Sequence, residues 1–171
     1  MASGGTAQPA GEVTREAFER KFGHLLAWLE LDQWVVASAS GRPSVYVQIK
    51  LMVDGLRMET TSNHFLMGAD QLTEEQESRL LALGWRPPSD AREGSPNFYL
   101  DLPWPIDASA VAQSTARTLA EIHRVASPAS VFLEAQDRGD RPVPAALAIA
   151  FDLRLAGRGR ATQLTGRPAP G

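Results

Sequence analysis

The sequence predicts an α+β domain whose elements run in the order α-β-β-β-α-β-α-β. Three observations predict it. Apolar residues recur at helical spacing in segments that begin near Thr14, Thr73 and Asp107. In VYVQIKLMV, residues 45–53, they alternate with a period of two instead. Clusters of Gly, Pro, Asn, Asp and Ser separate these segments and mark where the chain turns.

The first helix opens at Thr14, whose hydroxyl suits the free N–H groups of a first turn, with Val13 placed to staple onto Phe18. Phe18, Phe22, Leu25, Leu26 and Leu29 then form one apolar stripe, and Gly23 interrupts it at tolerable cost. Residues 34–39 follow as a short apolar strand, and ASGRPS is a hairpin connection. In residues 45–53, Val45, Val47, Ile49, Leu51 and Val53 share one face. Tyr46, Gln48, Lys50 and Met52 share the other. One side of this strand is wholly apolar and has to be covered. Asp54-Gly55 is a hairpin turn by type, after which Leu56, Met58 and Thr60 alternate with Arg57, Glu59 and Thr61 as a third antiparallel strand.

TEEQESRLLALG carries Thr73 and Gln76 at capping-box spacing and Glu74 and Glu75 at the positive end of a helix dipole. Gly84 can close that helix in the left-handed conformation, which sets Trp85 to fold back over the last turn. Residues 97–101 read as a strand ended by Pro103 and Pro105. Ile106, Asp107 and Val111 repeat the staple and cap, and Val111, Thr115, Leu119, Ile122 and Ala126 mark a third buried stripe. Ser127-Pro128 stops it, and SVFLEA, residues 130–135, is the last strand.

Residues 1–12 are small and polar and are expected to be disordered, leaving 13–136 as the folded domain. Residues 137–171 form a basic extension containing Pro, Gly and Arg. It holds six arginines against three aspartates, a balance of +3 that leaves −6 on residues 1–136. Within it VPAALAIAFDLRLAG reads as one short apolar helix, and the final GRGRATQLTGRPAPG as disordered. No internal repeat is evident.

Composition narrows the function. A net charge of −3 argues against nucleic acid as a partner. The absence of cysteine excludes disulfides, thiolate catalysis and Cys-ligated metals. The first residues lack the basic and apolar regions of a secretory signal, and no run approaches the roughly 18 apolar residues of a membrane span. A cytoplasmic protein is expected. The 15 Arg against 2 Lys, in an Ala/Gly/Pro-rich background, read as base composition of the genome.

No chemical motif stands out. His24, His64 and His123 share no metal-ligand spacing, and neither a Gly-x-Ser-x-Gly elbow nor a phosphate-cradling Gly-rich loop occurs. Glu59 and Asp101 are the best pair for acid/base work, but both fall at outward positions beside Arg57, where a solvated strand face accounts for them. No enzyme activity, catalytic residue, metal or cofactor is expected. The aromatic residues Trp34, Tyr46, Trp85, Phe98, Tyr99 and Trp104 concentrate on strands and on the proline-rich connector. Two readings fit them: a minor core beneath a long loop, and anchors for a bound peptide.

Several segments, in order, resemble the TY-Chap family, bacterial domains related to type III secretion chaperones and YbjN proteins. They are VYVQIKL, RMETTSNHFL, QLTEEQESRLLALGW and SPNFY, with Val47-Gln48, Glu59, Ser62-Asn63, Leu66, Leu72, Leu83-Gly84-Trp85, Pro87 and Pro96-Asn97-Phe98 as the matching positions. TLAEIHRVASPASVFLEA resembles the closing helix and strand, so the likeness spans roughly residues 14–136. The resemblance implies an antiparallel sheet of about five strands with helices packed on one face. It also implies a non-enzymatic peptide- or protein-binding chaperone or adaptor with a polypeptide client. Trp34, Tyr46, Trp85 and Phe98 are the candidate peptide-binding residues. The alternative is a homodimeric structural or regulatory domain that buries the same surface against its twin. The connector SDAREG and the basic extension depart from the family pattern, and the extension stands as either an intramolecular plug or an independent tail.

Overall fold

The structure, a computed structural model, describes residues 13–137. The disorder expected at 1–12 and the short helix expected in the C-terminal extension lie outside the described residues.

Helix α1 spans Arg15–Leu26, with the Thr14 hydroxyl accepting from the Ala17 N–H at 3.2 Å. Phe18, Phe22, Leu25 and Leu26 are buried as one stripe, and the first two rings stack at 5.4 Å. Leu29 packs on the core from beyond the helix end. Val13 is exposed, so the expected staple adds little.

Five strands follow: β1 Gln33–Ala39, β2 Arg42–Met52, β3 Gly55–Thr60, β4 Phe98–Pro103 and β5 Val131–Asp137. They form one antiparallel sheet in the order β4-β3-β2-β1-β5. The register aligns the apolar positions across it. Ala135, Val35, Ile49, Met58 and Leu100 stand in one row, and Leu133, Ala37, Val47, Thr60 and Phe98 in the next. Because side chains alternate along a strand, this register makes one whole face of the sheet apolar.

The β2–β3 turn differs from expectation by one residue. Met52 pairs with Gly55, so Val53 and Asp54 are the turn and Val53 is 84% exposed. Gly55 is already in the strand, where β4 comes close: an added Cβ would lie 2.1 Å from the Leu102 carbonyl oxygen. The glycine serves that approach.

Helix α2, Glu74–Ala82, carries the full capping box between Thr73 and Gln76. Its end is a Schellman motif. Trp85 N–H donates to the Leu80 carbonyl and Gly84 N–H to that of Leu81, with Gly84 at φ +90°. Helix α3, Ala108–Arg117, is capped by Asp107 and continues through a π turn at Thr118–Ile122. Arg124, at φ +56°, ends it. Ala126 is therefore exposed instead of closing the stripe, while Val111, Thr115, Leu119 and Ile122 are buried as expected.

The two long helices pack on each other and on the apolar face of the sheet, and Leu66, Leu72, Leu80 and Trp85 complete the same core. Each fully buried side chain of Leu or Phe size contributes about 1.5–3 kcal/mol of transfer free energy. The helices and sheet therefore hold each other in place, and no described helix covers the opposite face.

Candidate functional site

That opposite face carries a different chemistry. Alternation gives it Trp34, Val36 and Ser38 from β1, Tyr46, Gln48 and Lys50 from β2, and Arg57 and Glu59 from β3. Tyr99 and Asp101 come from β4, Phe132 and Glu134 from β5. Three rows cross it. Phe132, Ser38 and Tyr46 make the first, a small residue between two rings. Glu134, Val36, Gln48, Glu59 and Tyr99 make the second. Trp34, Lys50, Arg57 and Asp101 lie in the third. No described helix contributes to this face.

The β4 side is closed by its own chain. Arg86 forms two backbone hydrogen bonds with Tyr99, at 2.8 and 3.1 Å, on the outer edge of β4. Arg57 makes a bidentate pair with Asp101 at 2.7 and 2.9 Å and donates to the Glu93 carbonyl at 2.8 Å, which pins the connector. That pairing with Asp101 is also the main reason the Arg57 guanidinium holds its proton more tightly than usual. The Tyr99 ring has the guanidinium groups of Arg57 and Arg86 within cation–π range, at 5.0 and 5.8 Å. At the other side only β1 pairs with β5 among the described residues.

The four candidate peptide-binding residues divide between the two faces. Trp34 is half-buried on the helix-free face, in register with Lys50. Tyr46 lies there too, 8% exposed, its hydroxyl accepting from Asn97 Nδ2 at 3.2 Å. Burial raises the Tyr46 pKa, and the nearby Glu59 adds to the rise, while the Asn97 hydrogen bond opposes it. Trp85 and Phe98 are 3% exposed and belong to the core beneath the helices. Sequence reasoning passes over Phe132, although the alternation in SVFLEA sets it opposite Val131 and Leu133. Neither Trp34 nor Phe132 is without a partner.

The remaining candidates are placed as follows. Glu59 and Asp101 share the helix-free face on adjacent strands, but the Asp101 carboxylate is committed to Arg57. His24 and His64 are exposed. His123 is buried, its Nε2 2.7 Å from Thr60 Oγ1. Burial, with Arg42 close by, depresses its pKa to about 4, and Asp70 partly opposes this. No group of three metal-ligating side chains occurs among the described residues.

Several positions that carry the family resemblance prove to be clamps between connectors. The Asn63 side-chain amide pairs with the backbone of Leu72 in both directions, at 2.8 and 2.6 Å. Ser62 Oγ donates to the Pro96 carbonyl at 2.6 Å, and Asn97 Oδ1 accepts from the Ser62 N–H at 3.3 Å. These bonds fix the loops at one end of the sheet.

A five-stranded antiparallel sheet with helices on one side and an aromatic-bearing face on the other defines an α+β domain. Residues 11–139 match the family described as T3SS (YopN, CesT) and YbjN peptide-binding chaperone 3, and the chain belongs to that family. No curated protein and no solved structure matches it. Membership implies a polypeptide partner and a non-enzymatic role. No described helix is long and apolar enough to cross a membrane.

Proposed function

We propose that this protein is a peptide-binding chaperone or adaptor that holds a polypeptide client against the helix-free face of its sheet. The observation that carries the reading is the family match together with a helix-free sheet face bearing Trp34, Tyr46 and Phe132. Aromatic side chains supply contact area at low entropic cost, which suits an extended segment laid across the sheet. Trp34 and Tyr46 touch the client in this reading, whereas Trp85 and Phe98 act indirectly by setting the core on which the sheet rests. The client is a polypeptide met in the cytoplasm, and neither nucleic acid nor a membrane takes part. Catalysis is no part of the role.

Affinity purification of the full chain from its native cell, followed by binding of the recovered polypeptide's segments on a peptide array, tests this. A defined segment whose binding falls at least about tenfold with Trp34→Ala, some 1.4 kcal/mol, is the expected result. Recovery of no polypeptide and no array binding would end the reading.

A second reading, the homodimeric interaction domain, is favoured by one feature. Trp28, Leu31, Val53 and Trp104 are exposed at 69, 48, 84 and 51%, and the last three line an open cleft with Leu29, Glu30, Asp32 and Leu51. Light scattering across a range of concentrations decides it, a persistent monomer being the adverse result.

A further inference from the structure

The helix-free face holds one deeply buried apolar residue. Val36 lies at its centre, between Glu134 and Gln48 in register and between Trp34 and Ser38 along the strand, and is only 3% exposed. No described helix packs there, and Val36 stands apart from the main core. Trp34 and Phe132, on either side of it, are each already partnered.

The chain itself offers an occupant. β5 ends at Asp137, paired with Gln33, three residues along β1 from Val36. That separation is about 10 Å at strand rise. Five residues, 138–142, precede the apolar run VPAALAIAFDLRLAG, and Gly139 and Pro142 among them favour a change of direction. Fully extended, five residues reach about 17 Å, enough to turn and come back over Val36. The run supplies Val143, Leu147, Ile149, Phe151, Leu153 and Leu155 for the apolar centre. Arginines flank it in an extension whose balance is +3, against −6 for the rest of the chain, and Glu134 and Glu59 stand in the row of Val36.

We propose that residues 143–155 of this chain occupy the helix-free face over Val36, as an internal ligand that a client must displace. The proposal rests on reading that face as the peptide-accepting one. Tethering makes the occupant effective even when its intrinsic affinity is weak, because its local concentration is of millimolar order. A client therefore has to bind more tightly than the tether competes, which makes the extension a filter against weak, unspecific segments.

The lack of cysteine makes a direct test possible in the full chain. Gln48→Cys puts one thiol on the face and Ser44→Cys one at an exposed control position, and alkylation rates are compared. The Gln48→Cys thiol is expected to react about tenfold more slowly, the protection of an occupant favoured by some 1.4 kcal/mol, at a rate independent of protein concentration. Adding Leu147→Asp and Phe151→Asp should restore the rate of the control. Circular dichroism of each variant confirms that the sheet is intact. A Gln48→Cys thiol as reactive as the control overturns the proposal, as does protection that the two Asp substitutions leave unchanged. Protection that grows with concentration assigns the face to a second copy and overturns it too. The peptide-binding reading fails separately, through the absence of any client for both the wild-type and the doubly substituted chain.

Discussion

His123 sits where the end of the third helix meets Tyr46 and Thr60, with Arg42 donating to its carbonyl oxygen at 3.2 Å and Asp70 pairing with that Arg42. Thr60 Oγ1 is 2.9 Å from the Tyr46 carbonyl and donates to it, which leaves His123 Nε2 to donate to Thr60. Nδ1 then has a lone pair and no partner, as has Thr118 Oγ1 nearby in sequence. The site accepts a neutral imidazole. Its pKa is lowered from 6.5 to about 4 in the folded chain. The unfolded state thus binds a proton first as pH falls, and stability present above 6.5 is lost progressively down to about 4. The loss is on the order of 3 kcal/mol from this one group. Urea unfolding at pH 7.5 and 4.5 measures it, and His123→Gln should remove much of the difference between the two. A pH dependence unchanged in that variant would show that other groups carry the acid lability. At Gly55 the limit is space, since the Leu102 carbonyl leaves no room for a Cβ. Gly55→Ala should cost at least about 1–3 kcal/mol by chemical denaturation.

Among the elements, the ends of the second helix are the simplest to test. Gly84 is left-handed with nothing within 4 Å of an added Cβ, so Gly84→Ala reads backbone strain alone, about 1 kcal/mol. Thr73→Ala removes the hydroxyl half of the capping box and should cost about 0.5–2 kcal/mol. Both caps are legible in the sequence, because capping is written in residues three or four apart. The face assignment of the second strand is legible for the same reason: its period of two runs unbroken through Val45, Val47, Ile49 and Leu51. The burial of Trp85 follows from its place after Gly84, and that of Phe98 from its alternation with Leu100 and Leu102; what local spacing leaves open is which face of a sheet a partner meets. The turn at Val53-Asp54 falls one residue before its expected place because the glycine answers a neighbouring strand that is distant in sequence. The π turn at Thr118–Ile122 has no local signature, and it shortens the stripe before Ala126. The pairing of β5 with β1 also leaves no local mark, so nothing in the sequence sets Phe132 beside Ser38.

At the scale of the domain, the described residues draw their stability from the core between sheet and helices. Phe22, with no exposed surface, is at its centre, and Phe22→Ala should cost about 3–5 kcal/mol in urea, a large part of a small domain's total. Trp34→Ala, on the other face, should leave the unfolding midpoint nearly unchanged while weakening client binding. That separation between the two faces is what the proposed function needs. The sheet order also ties synthesis to shape. β1 joins β2 through a short turn, but its other neighbour, β5, is the last of the five strands in chain order. During translation the outer edge of β1 therefore stays bare long after the first hairpins have closed, since a long loop has to be ordered before that pairing forms. A ribosome stalled before residue 131 would display a nascent domain that proteases cut in β1, and one stalled well past 137 would not. The newborn chain is thus its own first client: β5, the last of the described strands to be made, is the first segment its sheet accepts.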